Sequence, residues 1–205
     1  TVVNFIFYKR LNSMNDMFRT PIDFPKATFN IDHPQSVLAL GSCFSQNIGE
    51  RMAAAKFPVS INPFGTLFDP ISIHAIFDAA NLESKEEELI FYQGYWHAVK
   101  YHGSFKHKDK ALLLEKIHQS KQHLINYLKT SGILMLTYGT AHVWKTKEKN
   151  EIVGNCHKLP GHFFYRHLLT PEEIINTLQD SLFTLNRLFP HLHVIMSISP
   201  VRHLK

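Results

Sequence analysis

The residues with the clearest chemical potential are GSCF at 41–44, directly after a short apolar run. The run predicts a buried strand and the residues that follow predict the start of a helix. Ser42 therefore lies where free amide N–H groups and the helix dipole stabilise negative charge. That position suits a nucleophile whose attack on a carbonyl creates an oxyanion. The alternative is a serine that only caps the helix, and residue type and position alone favour that alternative.

Cysteine and histidine offer two further kinds of chemistry. Cys43 is a second candidate nucleophile because a helix N-terminus favours the thiolate, but we expect a small, buried packing residue there. Cys156 and His157 stand near His162 and His167, which are residue types that bind metals. Their spacing fits no established zinc pattern, and there is no second cysteine pair. We therefore expect no metal and no other cofactor.

The composition narrows the class of protein. A chain of 205 residues with 44% hydrophobic and 19% charged residues is typical of one soluble domain with a sizeable core. The net charge of +5 comes from scattered lysines, so we expect a solvated surface and no nucleic-acid partner. No apolar run approaches the roughly 18–20 residues that cross a bilayer, so we expect no membrane association. With two cysteines a disulfide framework is not expected, and we predict a cytoplasmic protein.

Strands alternating with amphipathic helices are predicted to position Ser42. The predicted strands are 36–40, 57–62, 133–137 and 193–197. The predicted helices are 46–56, 70–80, 108–129 and one that Thr170 caps. Aromatic and β-branched residues around Gly94 predict a small β-hairpin insertion over 89–101. We describe the stretch between the third strand and Thr170 as a loop.

This alternation predicts an α/β fold, in which a parallel central sheet is covered by helices on both faces. Ligand sites in such sheets lie beyond the carboxyl ends of the strands. The positions just after residues 40, 61, 137 and 197 are therefore expected to converge at one edge. Ser42 is the reactive residue that this edge would carry.

Five short segments, in order, resemble the GSCFA family. They are GSCFS at 41–45, NPFG at 62–65, YGTA at 138–141, NCHKLP at 155–160 and SPVRH at 199–203. The resemblance covers residues 18–205, and we expect residues 1–17 to be a leader outside the domain. Because that family is similar to the SGNH/GDSL hydrolases, the resemblance implies a flavodoxin-like three-layer α/β/α fold and cleavage of acyl esters.

The resemblance also implies roles for single residues. It makes Ser42 the nucleophile and places its amide in an oxyanion hole with those of Gly65 and Gly139. The pattern Gly-x-Asn is expected at 139–141, where this chain has Gly-Thr-Ala, so Asn155 is the candidate substitute. A turn-forming role for Asn155, and a purely structural loop around His157, stay open as alternatives. The residues implied for substrate binding are Asn62, His157, Lys158 and His203.

A serine hydrolase also needs a base, which SGNH enzymes carry on a C-terminal Asp-x-x-His segment. The chain lacks this pattern; the nearest sequence, at 115–118, lies within a predicted amphipathic helix. We expect the base beyond Lys205, so that the chain lacks its C-terminal part. The predicted function is hydrolysis of carboxylic esters, with an acylated carbohydrate or a small metabolite as substrate. The alternatives are an acyltransferase that uses the same serine and a non-catalytic binding domain that keeps the fold.

Overall fold

The structure is a computed structural model that describes residues 29–80 and 87–199. The leader expected over 1–17 and the candidate His203 lie outside the described residues. Within them the chain order is β1 (Val37–Gly41), α1 (Cys43–Ala54), β2 (Val59–Ile61), α2 (Pro70–Ala80), β3 (Ile90–Tyr92), β4 (Tyr95–His97), β5 (Lys106–His107), α3 (Lys110–Thr130), β6 (Ile133–Tyr138), β7 (His142–Thr146), β8 (Ile152–Val153), a 3-10 turn (Gly161–Phe163), β9 (Phe164–Leu168), α4 (Pro171–Leu188) and β10 (His193–Ile198).

Four parallel strands form the central sheet in the order β10-β6-β1-β2. Every residue of β1 and β6 is buried, as expected for apolar strands that are covered on both faces. Gly41, the last residue of β1, is paired in register with Thr137 of β6. The carboxyl ends of these strands therefore meet at one edge, and Ser42 follows directly. The predicted α/β class and parallel sheet are confirmed.

Helix α3 packs on this sheet through the apolar stripe that the sequence predicts. The stripe of α3 is fully buried against the sheet and consists of Leu113, Ile117, Leu124 and Leu128. Burying each such side chain contributes roughly 2 kcal/mol. At the start of α4 the Thr170 hydroxyl accepts the Glu173 N–H, while the Glu173 carboxylate accepts the Thr170 N–H. This reciprocal pair is the predicted capping box.

The predicted hairpin insertion is present and is larger than expected. Strands β3 and β4 are antiparallel, and β5 adds a third strand beside β4. Gln93 and Gly94 form the turn with φ angles of 46° and 80°. Positive φ at both central residues is typical of the tight turns whose twist matches that of two-residue hairpins.

Residues 142–168 contain a second small sheet, so the prediction of a loop between the third strand and Thr170 is wrong. Strand β7 pairs antiparallel with β8 on one side and with β9 on the other. These strands are two to five residues long, so no period-two pattern runs far enough to be recognised. The sequence does contain a turn signal, because Asn150 closes the β7–β8 connection with a φ of 59°.

His74 on α2 is a buried titratable group. Its Nε2 lies 2.7 Å from the Tyr138 hydroxyl, which in turn donates to the Met196 sulfur at 3.7 Å. Which of Nε2 and Tyr138 Oη donates in this pair depends on the histidine tautomer. Nδ1 is buried and has no hydrogen-bond partner among the described residues. Burial lowers the pKa of His74 to about 4.

We expect acid to destabilise the fold through His74. Because the folded state binds fewer protons than the unfolded state, the free energy of unfolding falls as pH drops from about 6.5 to about 4. The slope is at most about 1.4 kcal/mol per pH unit for each such histidine. Urea titrations across this range should show a shallower loss for His74→Gln than for the wild type. The exposed His162→Gln is the control, and equal slopes for the wild type and His74→Gln would contradict the prediction.

Candidate active site

Ser42 lies at the junction of β1 and α1 and is 5% exposed. It is the N-cap of α1, and its Oγ accepts the Phe44 N–H at 3.3 Å. This contact satisfies one of the amide groups that a helix N-terminus leaves without an intrahelical partner. The capping role is therefore present in the structure. The capping role is compatible with a nucleophile at this position, because the hydroxyl also lies at the positive end of a helix dipole.

Thr137 holds Ser42 from the neighbouring strand, a contact that sequence reasoning missed. The Ser42 N–H donates to Thr137 Oγ1 at 3.0 Å and to the Thr137 carbonyl at 3.1 Å. The two hydroxyl oxygens are 3.1 Å apart. If Thr137 donates in that pair, both acceptor positions of Ser42 Oγ are filled, and the Ser42 proton remains available for a base. The only sequence signal for this residue was its position at the end of the predicted third strand.

Gly41 and Asn62 fix the backbone that leads into Ser42. Gly41 has a φ of +130°, and its N–H donates to Asn62 Oδ1 at 2.8 Å. The Asn62 Nδ2 donates to Gln46 Oε1 at 3.2 Å, so both ends of this amide are bonded to protein. Asn62 is also 8% exposed. The observed contacts of Asn62 are therefore structural, and its substrate contact stays a prediction.

The structure places Gly139 beside Ser42. A Cβ built at Gly139 would lie 3.3 Å from the Ser42 Cβ, so the two residues are in contact. Gly65, with a φ of +74°, is on the loop after β2, where the Leu67 N–H donates to the Gly41 carbonyl at 3.1 Å. A Cβ at Gly65 would lie 2.3 Å from the Cβ of His102, which is half-buried. Sequence reasoning did not select His102.

The amides proposed for the oxyanion hole are engaged within the protein. The Gly65 N–H donates to the Asn62 carbonyl and the Gly139 N–H to the Phe68 carbonyl, each at 2.7 Å. The Ser42 N–H is occupied by Thr137, as described above. An oxyanion would have to replace these acceptors, so the role of the three amides stays a prediction.

Asn155 differs from these amides because it keeps a donor available. Its Oδ1 accepts the His157 N–H at 2.8 Å, and its own N–H donates to the Val99 carbonyl at 3.2 Å. Its Nδ2 makes no hydrogen bond within residues 29–80 and 87–199. Asn155 lines the same pocket as Gly139, the neighbour of Ser42. The turn-forming role and the proposed donor role are thus carried by different atoms of one side chain.

His157 is 7% exposed and lies two residues after Asn155, on the loop 154–160 between β8 and the 3-10 turn (the Asn155 loop). Its Nδ1 lies 3.3 Å from the Nδ1 of His97, and its Nε2 lies 3.1 Å from the Tyr101 carbonyl. Burial lowers the pKa of His157 to about 4, so it is neutral near neutral pH. The neighbouring Lys158 is exposed. Both ring nitrogens of His157 therefore contact other groups of the protein. Substrate binding by His157 and Lys158 stays a prediction.

The backbone at His157 and Lys158 is unusual. Both residues have positive φ, 51° and 58°, and the Leu159 N–H donates to the Cys156 carbonyl at 2.8 Å across them. Two successive residues other than glycine seldom both adopt this backbone conformation. The Asn155 side chain and the buried His157 ring hold the turn in place. Such strained turns are concentrated at functional sites.

The two cysteines differ in exposure, and Cys43 departs from what the sequence predicts. Cys43 is exposed, so the expectation of a buried packing residue is wrong. It is the first residue of α1, and the buried face of that helix consists of Ser45 and Gly49. Cys156 is partly buried in the Asn155 loop. Among the described residues no group of three His, Cys, Asp or Glu side chains is arranged to hold a metal ion.

The fold and the candidate site therefore define the class of protein. It is an α/β protein with a serine at the carboxyl edge of its parallel sheet. The chain matches the GSCFA family model over residues 36–205 and belongs to the GSCFA family. The resemblance stated from the sequence is confirmed. Comparison with curated proteins and with solved structures gives no match. None of the described helices is long and apolar enough to cross a membrane.

Proposed function

We propose that the chain is a serine hydrolase of the SGNH type that cleaves acyl esters with Ser42 as nucleophile. The observation that carries the proposal is the environment of the Ser42 hydroxyl. It lies at the carboxyl edge of the sheet and at a helix N-terminus, in contact with Thr137 and next to Gly139. Serine nucleophiles need this combination of a fixed hydroxyl and nearby amide donors.

The strand order supports an SGNH-type, flavodoxin-like layout. Numbered along the chain, the four core strands lie in the order 2-1-3-4 from β2 to β10. Flavodoxin-like sheets have this order, and they bind ligands where it reverses, between the first and third strands. In this chain those strands are β1 and β6, which carry Ser42 and Thr137 at their ends.

The proposed chemistry uses four of the candidate residues. Ser42 attacks the acyl carbonyl, and the oxyanion is bound by Asn155 Nδ2 together with the amides of Ser42, Gly65 and Gly139. Asn155 has the strongest support, because its Nδ2 is uncommitted in the described residues. The three amides contribute after exchange of their present acceptors. An acylated carbohydrate or a small metabolite is the proposed substrate, and transfer to another hydroxyl would use the same serine.

In this proposal the base is the histidine of the family's Asp-x-x-His segment, a pattern that residues 1–205 do not contain. Within the described residues the partners of Ser42 Oγ are Thr137 and Phe44, neither of which is a base.

A second candidate function is a binding domain that keeps the fold without catalysis. The observation that favours it is the engagement of the Ser42, Gly65 and Gly139 amides inside the protein. The two functions differ in the reactivity of one hydroxyl, which can be measured directly.

A fluorophosphonate should form a covalent adduct at Ser42 in the full-length gene product, and peptide mass mapping locates it. Ser60 is the control within the chain, because its hydroxyl lies 2.7 Å from His123 Nε2. Ser60 is inside strand β2 and 5% exposed, so no adduct is expected there. A folded sample without an adduct at Ser42 would favour the binding domain.

A further inference from the structure

A pocket of about 450 Å³ adjoins the candidate nucleophile. One wall comes from the edge of the central sheet and includes Phe68 and Gly139. Gly139 is also the residue whose Cβ position lies 3.3 Å from the Ser42 Cβ. The pocket is therefore next to the proposed reacting centre, and it is large enough for the part of a substrate that lies beyond the ester bond.

The opposite wall is one face of the second sheet. Trp144 is directly opposite Val153 on β8 and Arg166 on β9, and all three residues line the pocket. Residues that are paired across antiparallel strands project from the same face. Trp144 is 41% exposed and Phe68, on the other wall, is 39% exposed. Two large rings thus leave apolar surface available on both sides of the pocket.

One arginine, Arg166, contributes a positive charge to the lining of this pocket. Arg166 is exposed, and no carboxylate of the described residues forms an ion pair with it. The acidic residue that lines the pocket is Asp69, which is 4% exposed. Asp69 caps α2, accepting the Ser72 N–H at 2.8 Å, and burial raises the pKa of its carboxyl. Asp69 and Arg166 form no ion pair with each other in the described part of the chain.

We infer that this pocket selects acyl esters that carry a carboxylate on an apolar or aromatic frame, with Arg166 binding the carboxylate and Trp144 the frame. The planar guanidinium matches a carboxylate with two parallel hydrogen bonds. No lysine lines the pocket, so the site provides for one negative charge and not for a doubly charged phosphate. This inference rests on the proposed function, because it places the scissile ester at Ser42.

The test compares two esters of the same size, para-acetoxybenzoate and para-acetoxybenzamide, in the full-length gene product. The wild type should hydrolyse the benzoate with a kcat/KM about tenfold or more above that of the benzamide, the worth of a charge-assisted contact. Arg166→Met should remove this preference by lowering kcat/KM for the benzoate toward that for the benzamide. Arg166→Lys, which keeps the charge without the planar fork, should retain part of the preference. Trp144→Ala should weaken turnover of both esters.

Binding of para-hydroxybenzoate separates failure of the inference from failure of the proposed function. Calorimetry with Ser42→Ala should show that it binds at least about tenfold more tightly than para-hydroxybenzamide, and that Arg166→Met abolishes the difference. If neither ester is hydrolysed but this selectivity is observed, the proposed function fails and the pocket assignment stands. Equal affinity for the two phenols, or a preference that survives Arg166→Met, overturns the inference.

Discussion

Ser42→Ala is expected to reduce hydrolysis of short acyl esters by about ten-thousand-fold or more in the full-length gene product. The alanine has no hydroxyl to attack the carbonyl, so only the oxyanion donors and substrate binding contribute to the remaining rate. The variant also loses its contact with the Phe44 N–H, which costs about 1 kcal/mol of helix capping. That loss should leave the protein folded, and thermal melting checks it alongside the measured kcat/KM.

Ser60→Ala is the matched control for this experiment. Ser60 and His123 form a 2.7 Å pair that resembles a catalytic dyad. However, Ser60 is within strand β2 and only 5% exposed, so its removal should leave ester turnover within about twofold of wild type. Undiminished turnover in purified Ser42→Ala, or its loss in Ser60→Ala, would reject Ser42 as the nucleophile.

Gly41→Ala is expected to destabilise the fold by more than about 4 kcal/mol, a large share of a typical domain's stability. The added Cβ would lie 2.2 Å from the Thr137 carbonyl oxygen, which belongs to the backbone of β6 and cannot rotate away. The φ of +130° is also a conformation that residues with a Cβ seldom adopt. Urea unfolding of the purified variant measures the loss, which should accompany separation of β1 from β6 at the site.

Two other glycines separate the effect of backbone strain from that of the clash. Gly94 has a φ of +80°, with nothing within 4 Å of its Cβ position, so Gly94→Ala should cost about 1–2 kcal/mol. Gly161 has open space at the Cβ position and no positive φ, so Gly161→Ala should be nearly neutral. If Gly41→Ala were no less stable than Gly94→Ala, the close packing of Gly41 on Thr137 would be wrong.

The elements that the sequence predicts well are those with long or chemically distinctive signals. The stripe on α3 extends from Leu113 to Leu128, about four turns, and the Thr170 capping box is formed by residues only three apart. Helix α2 has the predicted bounds of 70–80. The apolar runs of β1 and β6 are continuous because both faces of each strand are buried. In each case the signal is contained within the element itself.

The features that were missed depend on residues far apart in sequence. Strands β7 and β9 are paired through Trp144 and Arg166, and neither strand has a strong pattern of its own. In the sequence Thr137 is indistinguishable from other strand residues, and its contact with Ser42 becomes evident only when β6 is paired with β1. The outward direction of Cys43 depends on which face of α1 packs on the sheet. The sequence therefore located the nucleophile candidate but could not supply the contacts around it.

The distance along the chain between Ser42 and Thr137 also determines when the site can form. The hydrogen bonds that fix Ser42 join residues 95 positions apart, across a parallel pairing of β1 with β6. Parallel pairing over such a separation closes a long loop and is among the slow steps of folding. A nascent chain that has not yet released β6 from the ribosome lacks the partner that orients this hydroxyl. The proposed reactive centre should thus mature together with the middle of the sheet, late in folding.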